Sequence, residues 1–96
     1  MTKATILNFL ADNKEIFFEK YGVTKIGLFG SYAREEALPQ SDIDIFVKMK
    51  PSLFDLIALK EQIEKDLHKK VDIIRDHKNI KPFLRSMIHE DIIYVD

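Results

Sequence analysis

Residues 27–47 read GLFGSYAREEALPQSDIDIFV, and this stretch decides how the whole chain is interpreted. An apolar strand breaks at Gly30-Ser31, a polar segment follows, and a second apolar strand opens with Asp42 and Asp44. Aspartate is poorly suited to strands, and like charges on one face of a strand repel each other. A strand that keeps two aspartates therefore indicates a compensating positive charge.

The alternation of side chains along a strand places these aspartates together. Asp42 and Asp44 are predicted to point to one face of the strand, while Ile43, Ile45 and Val47 point to the core. At about 3.3 Å of rise per residue, the Cα atoms of the two aspartates lie roughly 6.5 Å apart. Two carboxylates at that spacing can converge on one divalent cation.

A third acid lies in a later apolar segment, KVDIIR at residues 70–75, where alternation separates Asp72 from Val71 and Ile73. If this strand lies beside the second one, the three carboxylates of Asp42, Asp44 and Asp72 meet. Three acids on a rigid sheet suit one or two Mg²⁺ ions that keep several waters and also bind substrate phosphates. The sequence therefore predicts a nucleotide as the ligand.

The Gly-Ser break supplies groups that could hold phosphate. Gly30 lets a phosphate approach the backbone, and Ser31 offers an N–H and a hydroxyl at the start of a predicted short helix from Ser31 to Ala37. Arg34, one turn later, is predicted to reach the same phosphates, although it could equally pair with a nearby acid. The segment is not a P-loop, because GSYARE lacks the Gly-Lys-Ser/Thr ending.

Bulk composition limits the classes of function. A chain of 96 residues is expected to form one domain over residues 1–96. Fifteen basic and sixteen acidic residues give a net charge of -1, so no direct nucleic-acid binding is expected. The chain has no cysteine, which excludes thiolate chemistry, and its N-terminal apolar run is too short for a signal peptide or membrane span. These features predict a cytoplasmic protein without a membrane partner.

Strands and helices alternate along the chain, which predicts an α+β or α/β domain with a central sheet. Strands are expected at Val23–Phe29, 42–48, 70–75 and 91–96. Ser52 is expected to cap a long helix with Leu53, Leu56, Ile57, Ile63 and Leu67 on its buried face, and Pro82 suits the first turn of the last helix.

The motifs resemble the nucleotidyltransferase signature of the DNA polymerase β-like superfamily. The match consists of Gly30-Ser31, ten residues, Asp42-x-Asp44, and Asp72 in a later strand. More narrowly, LFGSYAR with SDIDIFV is similar to the minimal nucleotidyltransferases, small bacterial and archaeal proteins often encoded beside a HEPN-domain partner. The resemblance implies a mixed sheet of about four strands flanked by helices, forming a single minimal nucleotidyltransferase domain.

The resemblance also implies roles for the residues. Asp42 and Asp44 would bind a pair of Mg²⁺ ions, Asp72 would be the acceptor-side ligand, and Gly30 with Ser31 would hold the β- and γ-phosphates of ATP. The implied reaction is attack of a hydroxyl on the α-phosphate with loss of pyrophosphate. Relatives that modify small molecules or RNA generally carry an extra domain to hold the acceptor, and the single domain expected over residues 1–96 therefore favours a partner protein as the acceptor. The chain would be an antitoxin that transfers AMP to a HEPN toxin.

Two questions stay open at this point. Family members commonly have glycine after the arginine, whereas this sequence has Glu35, so either the short helix continues or the loop has a different shape. Two other functions remain possible. One is an antitoxin with a weak or inactive site that neutralises its partner by occlusion, and the other is a small-molecule nucleotidyltransferase.

Overall fold

The computed structural model describes residues 1–95, which form helices and strands in an α+β arrangement. The elements are α1 (Lys3–Asp12), α2 (Lys14–Tyr21), β1 (Val23–Phe29), α3 (Gly30–Ala33), β2 (Ile43–Met49), α4 (Leu53–Leu67), β3 (Val71–Arg75), α5 (Pro82–Asp91) and β4 (Ile93–Tyr94). The predicted α+β fold with a mixed sheet of four strands is confirmed. The fourth strand, predicted at 91–96, is shorter than expected, because Asp91 still belongs to α5 and β4 covers only Ile93–Tyr94; Asp96 lies outside the described residues.

The four strands form one sheet in the order β3-β2-β1-β4. β1 pairs antiparallel with both β2 and β4, whereas β2 and β3 pair in parallel. In this register Asp44 lies opposite Phe29 of β1 on one side and opposite Asp72 of β3 on the other. The condition set by the sequence, that the third acidic strand lies beside the second, is therefore met.

The two faces of the sheet are covered unequally. Ile43, Ile45 and Val47 are fully buried in the main core, which they share with residues of α1, α2 and α4. On the opposite face, Phe46 packs with Ile80 and with Ile88 of α5 in a smaller core. Since side chains alternate along β2, Asp44 projects from the same face as Phe46, which is covered by α5 and by Ile80 of the segment before it.

Local sequence signals set several boundaries. Gly22 ends α2 with a φ of 70°, the left-handed conformation that glycine adopts without strain. The Ser52 hydroxyl accepts a hydrogen bond of 3.2 Å from the backbone N–H of Asp55 and so caps α4. Gly27 lies where β4 approaches closely, because a Cβ there would be 2.9 Å from the carbonyl oxygen of Ile93.

Three other expectations about the elements were wrong. β2 begins at Ile43, so Asp42 lies just before the strand. The short helix ends at Ala33 instead of continuing to residue 37. Leu53 and Ile57 of α4 are 72% and 47% exposed, because the sheet covers only the stripe formed by Leu59, Ile63 and Leu67.

Within residues 1–95, the search for a helix both long and apolar enough to cross a membrane found none.

Candidate active site

Asp44 and Gly30 form the centre of the site. The antiparallel register pairs Asp44 with Phe29, so the following residue, Gly30, lies beside the aspartate side chain. Gly30 has a φ of +75°, and a Cβ at this position would overlap Asp44 Oδ2 and lie 2.9 Å from Asp44 Cγ. Glycine is therefore required twice, for the backbone conformation and for the space that the carboxylate occupies.

The other two acids lie next to Asp44. Asp72 is its partner across the parallel strand pair, and neighbouring strands are about 4.8 Å apart. Asp42 lies two residues before Asp44, at the entrance to β2, where the N–H of Ile43 donates a 3.0 Å hydrogen bond to the carbonyl of Lys70. Asp72 is exposed, while Asp42 and Asp44 are half-buried. The structure thus brings the three predicted acids to the same end of the sheet, where the parallel strands β2 and β3 begin.

The electrostatics of Asp44 reflect this crowding. Burial raises the pKa of the Asp44 carboxyl, and the negative charges of Asp72 and Asp42 raise it further, to about 6, while Arg34 lowers it. A carboxylate that is costly to ionise among other acids gains from a nearby cation.

The oxygen-only donor set of these acids suits Mg²⁺, which prefers carboxylates, waters and phosphates as ligands. Among residues 1–95, no three acidic or histidine side chains are already gathered into a metal-binding cluster. Even so, the half-buried position of Asp44 beside Asp72, its raised pKa and the donor chemistry all fit a divalent cation that would draw Asp42, Asp44 and Asp72 together.

A cavity of about 300 Å³ lies between α3 and α5. It contains three of the predicted nucleotide-binding residues, and it is lined by Phe29, Gly30, Ser31, Arg34, Asp44, Leu84, Met87 and Asp91. The two halves predicted from the sequence, the Gly-Ser break and an aspartate of the second strand, therefore face the same space. Leu84, Met87 and Asp91 of α5 were not predicted to belong to the site.

Arg34 is held by two carboxylates. Its Nη1 donates to Asp91 Oδ2 at 2.6 Å, and its Nε donates to Glu36 Oε2 at 3.2 Å. These hydrogen bonds to Asp91 and Glu36 raise the pKa of the Arg34 guanidinium. Arg34 therefore forms ion pairs with nearby acids, as one of its two interpretations predicted, and it also lines the cavity. No local pattern marked Asp91, because it is 57 residues away from Arg34 along the chain.

The backbone conformation of Glu35 shows how the chain turns after Arg34 without a glycine. Its φ is 60°, in the left-handed region, so the chain makes the turn that glycine would favour and the helix does not continue. Its carboxylate forms an ion pair of 3.1 Å with Lys3 at the start of α1. Glu35 therefore adopts this left-handed conformation at a cost of about 1 kcal/mol.

A scan against family models matches residues 10–95 to the nucleotidyltransferase domain. The chain belongs to this family. The matched range contains Gly30, Ser31 and all three acids, so the side chains that the fold brings together lie within the family's domain. The protein is thus an enzyme of the nucleotidyltransferase type.

Two curated relatives cover nearly the whole chain. A Methanocaldococcus jannaschii protein named "Putative protein adenylyltransferase MJ1379" is 42% identical over 98 residues and covers 98% of each chain. The "Protein adenylyltransferase MntA" of Thermococcus cleftensis is 35% identical over 97 residues, which are 99% of this chain and 97% of the relative. Similarity at this level over the full length places the nucleotidyltransferase among proteins named for transfer to protein.

Solved structures support the fold. A structure described as a "putative minimal nucleotidyltransferase" superposes with a TM-score of 0.77 at 29% identity and covers 97% of this chain and 95% of the other. The MNT antitoxin fold is also matched in a complex with a tri-AMPylated Shewanella oneidensis HEPN toxin. That match has a TM-score of 0.68 at 19% identity and covers 97% of this chain and 71% of that one. The second match shows a shared fold only.

Proposed function

We propose that this nucleotidyltransferase is an Mg²⁺-dependent protein adenylyltransferase. It transfers AMP from ATP to a hydroxyl of a partner protein and acts in the cytoplasm as the antitoxin of a HEPN toxin. One observation carries the proposal: the Asp44 carboxylate lies against the Gly30 backbone and directly beside Asp72 in the sheet. A phosphate-binding segment and a set of acids thus meet at one point, as transfer of a nucleotidyl group requires.

The phosphate side of the site is formed by α3 and the residue after it. Gly30 has no side chain to block a phosphate, Ser31 offers its N–H and hydroxyl, and Arg34 provides a positive charge in the same cavity. These groups would hold the β- and γ-phosphates, so that the α-phosphate lies toward the acids. Binding of this kind contributes to catalysis mainly by fixing the orientation of the reacting phosphorus.

The acidic side would hold two Mg²⁺ ions, with Asp42 and Asp44 as shared ligands and Asp72 on the acceptor side. Bound Mg²⁺ would polarise the phosphate oxygens and neutralise the charge that develops during transfer. Asp44 is half-buried between Gly30 and Asp72, so it occupies a fixed position, whereas the exposed Asp72 faces an approaching acceptor.

The transfer step is an in-line displacement. The acceptor hydroxyl oxygen forms a bond to the α-phosphorus, the bond from that phosphorus to the bridging oxygen of the β-phosphate breaks, and pyrophosphate leaves. The hydroxyl proton passes to a carboxylate or to water. The exposed position of Asp72 on β3, at the margin of the sheet, leaves room for a large acceptor and so favours a protein.

Mass spectrometry of the partner tests the proposal. The purified enzyme is incubated with ATP, Mg²⁺ and the product of its neighbouring gene, the proposed HEPN partner, and the partner's mass is measured. We expect addition of AMP that is lost in Asp42→Asn, Asp44→Asn and Asp72→Asn. Asp66→Asn, which changes an exposed acid on α4, is the matched control and should retain activity.

Neutralisation of the toxin by the triple aspartate variant, with no mass change in the wild-type reaction, would overturn the proposal in favour of occlusion. Modification of a small molecule in place of the partner would indicate a small-molecule transferase.

A further inference from the structure

Asp91 has an unusual position for an acid in a cavity proposed to bind the anionic triphosphate of ATP. It is the last residue of α5 and lines the cavity together with Gly30 and Ser31. Its side chain is only 17% exposed and accepts the 2.6 Å hydrogen bond from Arg34 Nη1. An acid that is merely tolerated on a surface would be free to turn to solvent, whereas this carboxylate is enclosed and engaged.

The guanidinium of Arg34 is fixed on two sides. Its Nε donates to Glu36 and its Nη1 donates to Asp91, and within residues 1–95 no oxygen accepts a hydrogen bond from its Nη2. A guanidinium carries five N–H donors in a planar, rigid fork. When two carboxylates hold two of its nitrogens, the direction of the third is determined, and that nitrogen remains available for a ligand at the cavity.

Fixing Arg34 before the ligand arrives reduces the cost of binding. A free arginine side chain loses several rotamers when it engages a phosphate, and this loss weakens affinity. Arg34 is 44% exposed, so little besides the two carboxylates restrains it. Asp91 also joins α3 to α5, so the arginine is held between two elements that both line the cavity.

We infer that Asp91 is a positioning residue that orients Arg34 for the phosphates of the nucleotide. This inference rests on the proposed function, because it assigns a role within the same nucleotide site. Asp91 does not contact the reacting atoms and acts through Arg34. The proposal makes a counterintuitive prediction: removing a negative charge from the cavity weakens the binding of an anion.

Binding of AMP-PNP with Mg²⁺ to the purified protein, without any acceptor, provides the test. We expect Asp91→Asn to raise the Kd about tenfold, because a neutral amide oxygen accepts a weaker hydrogen bond from the Arg34 guanidinium than a carboxylate does. Asp91→Glu keeps the charge and should restore part of the affinity. In assays with the acceptor, the KM for ATP should rise while kcat changes little.

A double-mutant cycle shows whether Asp91 acts through Arg34. Arg34→Ala should weaken binding at least as much as Asp91→Asn, and the double variant should bind no more weakly than Arg34→Ala alone. Asp76→Asn is a matched control, because Asp76 is 19% exposed and accepts a 3.0 Å bond from Arg85 away from the cavity. That variant should bind AMP-PNP like the wild type.

Three results would overturn the inference: unchanged or tighter binding in Asp91→Asn, additive losses in the double variant, or an equal loss in Asp76→Asn. If Asp91→Asn does not fold, Arg34→Lys takes its place, since lysine keeps the charge but lacks the planar fork whose separate nitrogens engage Asp91, Glu36 and a phosphate. Wild-type affinity in Arg34→Lys would then refute the inference. Failure of the wild type to bind AMP-PNP would refute the proposed function itself, which is a separate outcome.

Discussion

Replacing Asp44 by asparagine should abolish transfer and at the same time stabilise the metal-free protein. The pKa of the Asp44 carboxyl is about 6 in the folded protein against an ordinary value of 3.8, so folding makes its ionised form less favourable. At about 1.4 kcal/mol per pKa unit the difference amounts to roughly 3 kcal/mol. Because the side chain is only half-buried, solvent screening reduces this to about 1–2 kcal/mol. Asparagine keeps the shape and removes the charge.

The sign of the pH dependence makes the test specific. Between pH 3.8 and about 6 the folded protein holds a proton on Asp44 that the unfolded chain has lost, so wild-type stability falls as the pH rises through this window. Asp44→Asn lacks this fall. The two proteins should therefore be equally stable near pH 4, and the variant should be more stable by about 1–2 kcal/mol above pH 6.5, with a Tm higher by roughly 5–10 °C.

Thermal and urea unfolding in EDTA, at several pH values, measures this difference, with Asp66→Asn as the control for loss of an exposed acid. Addition of Mg²⁺ should stabilise the wild type and have no comparable effect on Asp44→Asn. A variant that is less stable than the wild type at pH 7.5, or a stability difference that does not change with pH, would refute the reasoning about Asp44.

Three further substitutions test the backbone features of the site. Gly30→Ala should lose transfer activity and about 2 kcal/mol or more of stability, because its φ of +75° strains alanine and the new Cβ overlaps Asp44; denaturant melts and the AMP-transfer assay report both effects. Glu35→Gly should gain about 0.5–1 kcal/mol, since relief of the left-handed strain exceeds loss of the exposed Lys3 pair, and a lower Tm would contradict this. Ser52→Ala should cost about 1 kcal/mol through loss of the α4 cap without changing transfer activity, and a loss of activity in the folded variant would count against that expectation.

Local chemistry is what the sequence predicted well. β1 was placed at Val23–Phe29 because Gly22 and Gly30 delimit an apolar run, and the structure has the same bounds. Gly30 lies near Asp44 because β1 pairs with β2, and Asp72 lies beside Asp44 because β3 pairs with β2. The sequence predicted only the second pairing, and only as a condition, because register depends on contacts between distant segments. The pairing of Arg34 with Asp91 had no local signal, since the two residues are 57 positions apart and meet only through tertiary packing.

The buried face of α4 illustrates a different limit. Periodicity finds an apolar stripe but does not show how much of it the rest of the protein covers. Leu53 and Ile57 lie at the margin of that stripe and remain largely exposed, while Leu59 is fully buried. Which of these apolar residues become buried depends on tertiary packing, and the helical periodicity does not predict that packing.

The position of β3 at the margin of the sheet has a consequence for the behaviour of the protein in solution. In the described residues β3 pairs only with β2, so the backbone N–H and C=O groups of its outer side can recruit a strand from another molecule. A charge on such a strand opposes this association. The exposed Asp72, proposed to face the acceptor, therefore also disfavours edge-to-edge pairing of β3 with a strand of a second molecule. An apolar residue in place of Asp72 would remove both the proposed acceptor-side ligand and the charge that opposes strand pairing. Loss of transfer activity and onset of aggregation would therefore appear together.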